Sequence, residues 1–115
     1  MPRPIRPRRN CGTSSGYDWW PPFRYAVRAT TAFRKSAKRA AKRGKDMSKL
    51  KKAVDLLALG EPLPAVLRDH ALSGLWRGHR ELHLEPDWLL VYRIEKNILV
   101  LELVDTGSHS DLFGK

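Results

Sequence analysis

At 115 residues, 42% of them hydrophobic, the chain can bury one core and is too short for two ordinary domains. No run reaches the roughly 18 apolar residues of a membrane helix, the Arg/Pro-rich start lacks the apolar centre of a secretory signal, and a single cysteine, Cys11, excludes an internal disulfide or a cysteine metal cluster. The excess of 22 Lys+Arg over 12 Asp+Glu, a net charge of +10, points to a polyanion or an acidic protein as partner, in a soluble, cytoplasmic setting.

Residues 1–22, "MPRPIRPRRNCGTSSGYDWWPP", are Pro-punctuated and aperiodic. They read as a flexible basic arm, with Trp19 and Trp20 able to dock on a surface, ahead of a folded domain over 23–115. "FRYAVRAT" (23–30) alternates as a short strand, and Thr30 or Thr31 is a suitable cap for a helix running to about Arg43. In that helix Phe33, Ala37, Ala40, Ala41 and Gly44 share one face, leaving Arg34, Lys35, Lys38, Arg39, Lys42 and Arg43 to solvent. A second helix starts at Asp46, carries Met47, Leu50, Val54 and Leu57 on one stripe, and stops at Gly60 and Pro62.

Beyond a loop that contains His70 lie three strand-like runs, "LWRGHRELHL", "WLLVYRIE" and "ILVLELV", the last two joined by a hairpin at Lys96-Asn97. The expected fold is α+β, in the order β-α-α-β-β-β: two helices packed on a small antiparallel-rich sheet. Charge follows the same division. From Arg34 to Lys52 there are ten basic residues and one acid, Asp46, whereas acids predominate from Glu81 to Asp111.

Candidate chemistry gathers at element ends: His70 in the loop, His83 and Asp87 around the turn after the second strand, and His109 in "DTGSHSDLFGK". Imidazoles titrate near pH 6.5 when unperturbed, so two of them can act as general base and general acid with a carboxylate as third member. RNA cleavage needs that division of labour, and Trp88 or Phe113 could stack on an unpaired base. Taken singly, each residue also has a structural reading: a loop hydrogen bond for His70, a solvated strand position for His83, a turn acid for Asp87, a core residue for Trp88 and a tail anchor for Phe113. His79 falls within the first run and is given no role.

The segments "LPAVLRDHALSGLWRGHRELHLEPDWLLVYRI" and "TGSHSDLFGK", with "KRGKDMSKLKKAVDLL", carry a "DH" loop, "H-x-E-P-D-W" and "TG-x-H-x-x-LFG" in order. In these the chain, from about Tyr25 to Gly114, resembles the YafQ-type ribosome-dependent mRNA interferases, toxins of the RelE/ParE superfamily. The resemblance implies a RelE-like fold and cofactor-free, metal-independent cleavage of mRNA in the ribosomal A site, against 30S ribosomal RNA. It places His70, His83, Asp87 and His109 among the catalytic residues and Trp88, Phe113 and Arg80 at the substrate. It also implies a cognate antitoxin protein, operator DNA bound only through the toxin–antitoxin complex, and no membrane. Asp105 stands before "TGSH" where relatives frequently carry arginine; a negative charge there either weakens phosphate stabilisation or is offset by Arg80 or Arg93 as substitute.

Two further classes compete. Asp105 favours a degenerate, non-catalytic RelE-fold module that binds a ribosome or an antitoxin. His70, His83, Asp87 and His109 could instead ligate a hydrolytic metal, although their spacing matches no common metal signature. Gyrase inhibition of the ParE kind is disfavoured by the histidine set.

Overall fold

Alternation along neighbouring strands decides which side chains meet. The computed structural model describes residues 23–114, so the expected arm, with Cys11, Trp19 and Trp20, lies outside the described residues. Within them the chain forms β1 (Ala26–Ala29), α1 (Thr31–Lys42), α2 (Met47–Leu59), β2 (His70–Ala71), β3 (Arg80–Glu85), β4 (Trp88–Glu95), β5 (Val100–Gly107) and α3 (His109–Phe113). The fold is α+β, as expected. The five strands lie in the order β1-β5-β4-β3-β2, with β1 parallel to β5 and every other pair antiparallel.

Both long helices start and stop where their caps dictate. The Thr30 hydroxyl oxygen accepts from the Phe33 amide at 3.0 Å and donates to the Val104 carbonyl at 2.6 Å, so the cap of α1 also ties that helix to β5. Asp46 caps α2 through the Ser48 amide, and Gly60, with φ +75°, ends it in the left-handed conformation that glycine adopts without strain. Phe33 and Ala40 of α1 and Leu50, Ala53, Leu57 and Ala58 of α2 pack on Leu82, Trp88, Leu90, Tyr92, Leu101 and Leu103 of the sheet. Ala41, expected on the buried face, is exposed, because Ser36 and Ala37 complete the stripe around Phe33 and Ala40.

Three boundaries differ from the sequence reading. The first long run, expected from Leu75, enters the sheet only at Arg80, because Gly74–Trp76 forms a 3-10 turn and His79 donates its amide to the Trp76 carbonyl at 3.0 Å. The last run pairs from Val100 to Gly107, leaving Ile98 and Leu99 exposed in a longer hairpin turn. The tail, which the expected β-α-α-β-β-β order leaves without an element, holds α3, because Ser108 and Asp111 form a reciprocal capping box.

Two irregularities re-aim residues. A bulge between His83 and Glu85 moves Glu85 to the helical side, where Lys45 and Lys49 reach it at 3.1 and 3.0 Å. A second, opposite Val91 and Tyr92, leaves Val104 of β5 as the extra residue. Leu90, with no exposed surface, is the test of this core: Leu90→Ala is expected to lower unfolding free energy by about 3 kcal/mol in urea titration with an unchanged slope, and a loss well below 1 kcal/mol would contradict the packing described.

Candidate active site

His83 and Glu81 are two residues apart on β3 and therefore share a face, while Arg80 and Leu82 take the other. Glu81 is buried, 5% exposed, with one carboxylate oxygen 3.7 Å from His83 Nε2 and 3.6 Å from His70 Nε2. His70 is brought there by β2, which pairs it directly opposite Glu81. Its Nδ1 lies 2.9 Å from the Arg68 carbonyl. A carbonyl only accepts, so Nδ1 carries the proton and Nε2 is the nitrogen that faces Glu81.

The second half of the site comes from the chain's end. The capped start of α3 sets His109 beside the turn after β3, where Asp87 Oδ1 accepts from the His109 amide at 3.0 Å and lies 2.8 Å from His109 Nδ1. Those donors, the backbone amide first and the ring second, hold the Asp87 carboxyl below the usual carboxylate range. With Nδ1 engaged, His109 Nε2 is left for proton exchange.

The two halves join through their imidazoles. His70 and His83 stack with ring centroids 6.1 Å apart, and His83 lies 5.8 Å from His109. All four expected catalytic residues therefore fall in one row, His70, His83, His109 and Asp87, with Glu81 beneath its inner end. Sequence reasoning missed Glu81. Its position two before His83 was the available signal, since strand alternation places such a pair together.

The residues expected at the substrate fare differently. Trp88 is 1% exposed, inside the core with Lys45 Nζ 5.6 Å from its ring centroid, so the stacking role proposed for it is corrected: no face is open to a base. Its indole N–H and His83 Nδ1 are buried without a hydrogen-bond partner among the described residues. Phe113 is half-buried against Trp76, at 5.6 Å and nearly perpendicular. Arg80 points to the opposite face from His83 and clasps Asp69 at 2.7 Å, while the Tyr92 hydroxyl donates to the same carboxylate. Burial pushes the Tyr92 phenol up, so it stays a donor. This network lines a concavity of about 640 Å³ with Tyr25, Leu63 and Arg68, and it braces the segment that leads into His70.

The expected substitution for Asp105 is also corrected. Arg93 pairs with Glu95 and Glu102, and Arg80 is held by Asp69, so neither stands ready beside the histidine row. Asp105 itself accepts from the Ser36 hydroxyl at 2.6 Å and from the Thr106 amide, which turns its charge toward α1. Arg39, Arg43 and Lys45 line a smaller pocket of about 190 Å³ together with Asp87, Trp88 and Ser108. A metal would find a different set from the one expected: Glu81, His83 and His109 each offer a donor atom, all within 4.8 Å of one another, with Asp87 engaged elsewhere.

Comparison with known proteins places this geometry. The YafQ family, described as the bacterial toxin of a type II toxin–antitoxin system, matches residues 25–114. The mRNA interferase toxin YafQ of Escherichia coli K12 is 48% identical over 83 residues, covering 71% of this chain and 88% of the relative. YafQ in the E. coli DinJ–YafQ toxin–antitoxin complex superposes with a TM-score of 0.73 at 42% identity, covering 79% of this chain and 99% of that one. A metal-bound toxin from Helicobacter pylori superposes with a TM-score of 0.74 at 43% identity, covering 77% and 99%.

The Asp87 contact makes a titration testable. A carboxyl whose folded value is lowered contributes order above its unfolded value of about 3.9, lost as pH falls through the folded value. Carbon-13 NMR is expected to show the Asp87 carboxyl titrating below that reference, with part of the shift kept in His109→Ala, because the amide donor survives. A complete return to about 3.9 in His109→Ala would assign the whole effect to the ring instead.

Proposed function

The chain belongs to the YafQ family of bacterial type II toxins and is an mRNA interferase, an endoribonuclease; we propose that the row of His70, His83, His109 and Asp87 performs the cleavage, in the ribosomal A site and without a metal. The observation that carries the proposal is the His109 ring fixed by Asp87 within 5.8 Å of His83, close enough for one phosphodiester to touch both imidazoles.

The 2′-hydroxyl attacks the adjacent phosphorus, forming a P–O2′ bond as the P–O5′ bond breaks, and one proton leaves the 2′-oxygen while another reaches the 5′-oxygen. Asp87 already accepts two hydrogen bonds from His109, so it orients that ring, which serves as the donor to the departing oxygen. The base is His83. Glu81 lies behind His83 and His70, one carboxylate oxygen within 3.7 Å of an Nε2 on each ring, and a cationic imidazole steadies the charged phosphorane. Exposed Arg34, Lys35, Lys38, Arg39 and Lys42 on α1 follow the ribosomal and messenger backbones.

The partners follow from relatives. The E. coli relative is held by DinJ in a toxin–antitoxin complex, so a cognate antitoxin inhibits this chain and brings it to operator DNA. No described helix is long and apolar enough to cross a membrane. The proposed ribosomal target would be met in the cytoplasm.

A second reading has one observation in its favour: Glu81, His83 and His109 have the donor types and spacing of a metal site, and an H. pylori relative binds metal. Cleavage abolished by a chelator and restored by a divalent ion would install it in place of the proton-transfer scheme.

His109→Ala is expected to lower kcat at least 100-fold and abolish growth arrest on induction, with the fold retained by circular dichroism. Glu81→Gln should reduce cleavage by a smaller factor, because it removes a charge without removing a proton carrier. New mRNA ends mapped by primer extension should appear only in translated frames. Undiminished arrest in His109→Ala would remove the proposed chemistry.

A further inference from the structure

Trp76 and Phe113 meet edge to face, ring centroids 5.6 Å apart, outside the hydrophobic core. Both are half-buried. Phe113 closes the helix that His109 opens, so the pair stands about one helical turn from the Asp87–His109 contact.

The turn carrying Trp76 is braced. Gly74 and Gly78 take φ of +66° and +92°, left-handed values that permit the tight path, and the Trp76 carbonyl accepts from the His79 amide at 3.0 Å. The His79 ring meets the indole edge to face at 5.5 Å, which fixes its plane. Leu75, beside it, is fully exposed at 103%. Ordered aromatic rings and a fully exposed leucine, held next to a row of imidazoles and carboxylates, form an apolar surface where the rest of the site is polar.

We propose that Trp76 is a further nucleobase-binding residue of this enzyme, extending the aromatic surface already expected of Phe113 and receiving an unpaired base adjoining the cleaved bond. The proposal rests on the ribonuclease reading above. In-line attack by a 2′-hydroxyl draws the backbone out of helical geometry and unstacks a base, which then needs a new π-face. Trp88 offers none, whereas Trp76 and Phe113 lie at the outer end of the row, where the chain would leave the phosphate. Stacking tolerates any base and does not depend on salt, unlike contacts to phosphate.

The test measures binding of the full chain to ribosomes programmed with an mRNA made uncleavable by 2′-O-methylation, with each A-site nucleotide in turn made abasic. Trp76→Leu is expected to weaken binding about tenfold at every salt concentration with the salt slope unchanged, while Trp76→Phe stays within about threefold of the parent. One abasic position should cost the parent about as much and cost Trp76→Leu almost nothing more, the non-additivity of a direct contact. Parental binding by Trp76→Leu, additivity at every position, or an altered salt slope would each overturn this assignment. So would a Trp76→Leu defect confined to the antitoxin, which would make the surface a protein contact. Cleavage by His109→Ala at the parental rate would instead sink the ribonuclease mechanism while leaving the binding cycle readable.

Discussion

The site depends on the burial of β4 on both faces. Trp88, Leu89, Leu90, Val91 and Tyr92 are each at most 1% exposed, so a one-residue slip would exchange two close-packed faces and force Trp88 and Tyr92 out of the core cluster they share with Leu90 into the space of Leu89 and Val91. Its partner β3 is fixed by that register: Glu81 lies opposite Val91, His83 opposite Leu89 and Arg80 opposite Tyr92. Sequence neighbours are thereby sorted. Glu81 and His83 turn to the face of the imidazole row, and the arginine beside them is sent to the other side of the sheet to hold the segment that supplies His70.

The two carboxylates of the row work in opposite surroundings. Asp87 is open to solvent and gains its lowered titration from two donors on one residue, which ties it to the His109 ring. Glu81 is buried, and its nearest cationic candidates are two imidazoles at a distance longer than a hydrogen bond. A buried charge is costly unless a neighbour neutralises it, so the Glu81 carboxylate and the His70 and His83 rings form one packed unit at the inner end of the row. Burial at one end and exposure at the other give similar side chains different work.

Caps and stripes made the helices legible: Thr30, Asp46 and Gly60 sit where the chain's own chemistry put them, and the +10 charge concentrated as read. The candidate row was legible as residue types, since "H-x-E-P-D-W" and "TG-x-H" marked His83, Asp87 and His109. What could not be read was direction. Trp88 opens a strand, yet alternation with Leu90 and Tyr92 turns it into the core, and Arg80 is adjacent to Glu81, yet alternation parts them. Glu81 and Trp76 were hidden for a related reason: one looked like a solvated strand acid, and the other sits in a glycine-bounded turn that interrupts an apparently continuous run.

The clamp on Glu85 bears on how this protein reaches a nucleic acid. Lys45 and Lys49 are both paired with that carboxylate, and Arg43 and Lys51 with Asp111 and Asp55, so four of the ten cations between 34 and 52 are matched locally. The outward-facing remainder lies mostly along α1, while the strands beyond Glu81 carry the acids. Such separated poles give the molecule a turning moment in the field of a polyanion. It would swing its first helix forward before touching down, arriving already aligned, and added electrolyte would slow that capture more than it weakens the closed complex.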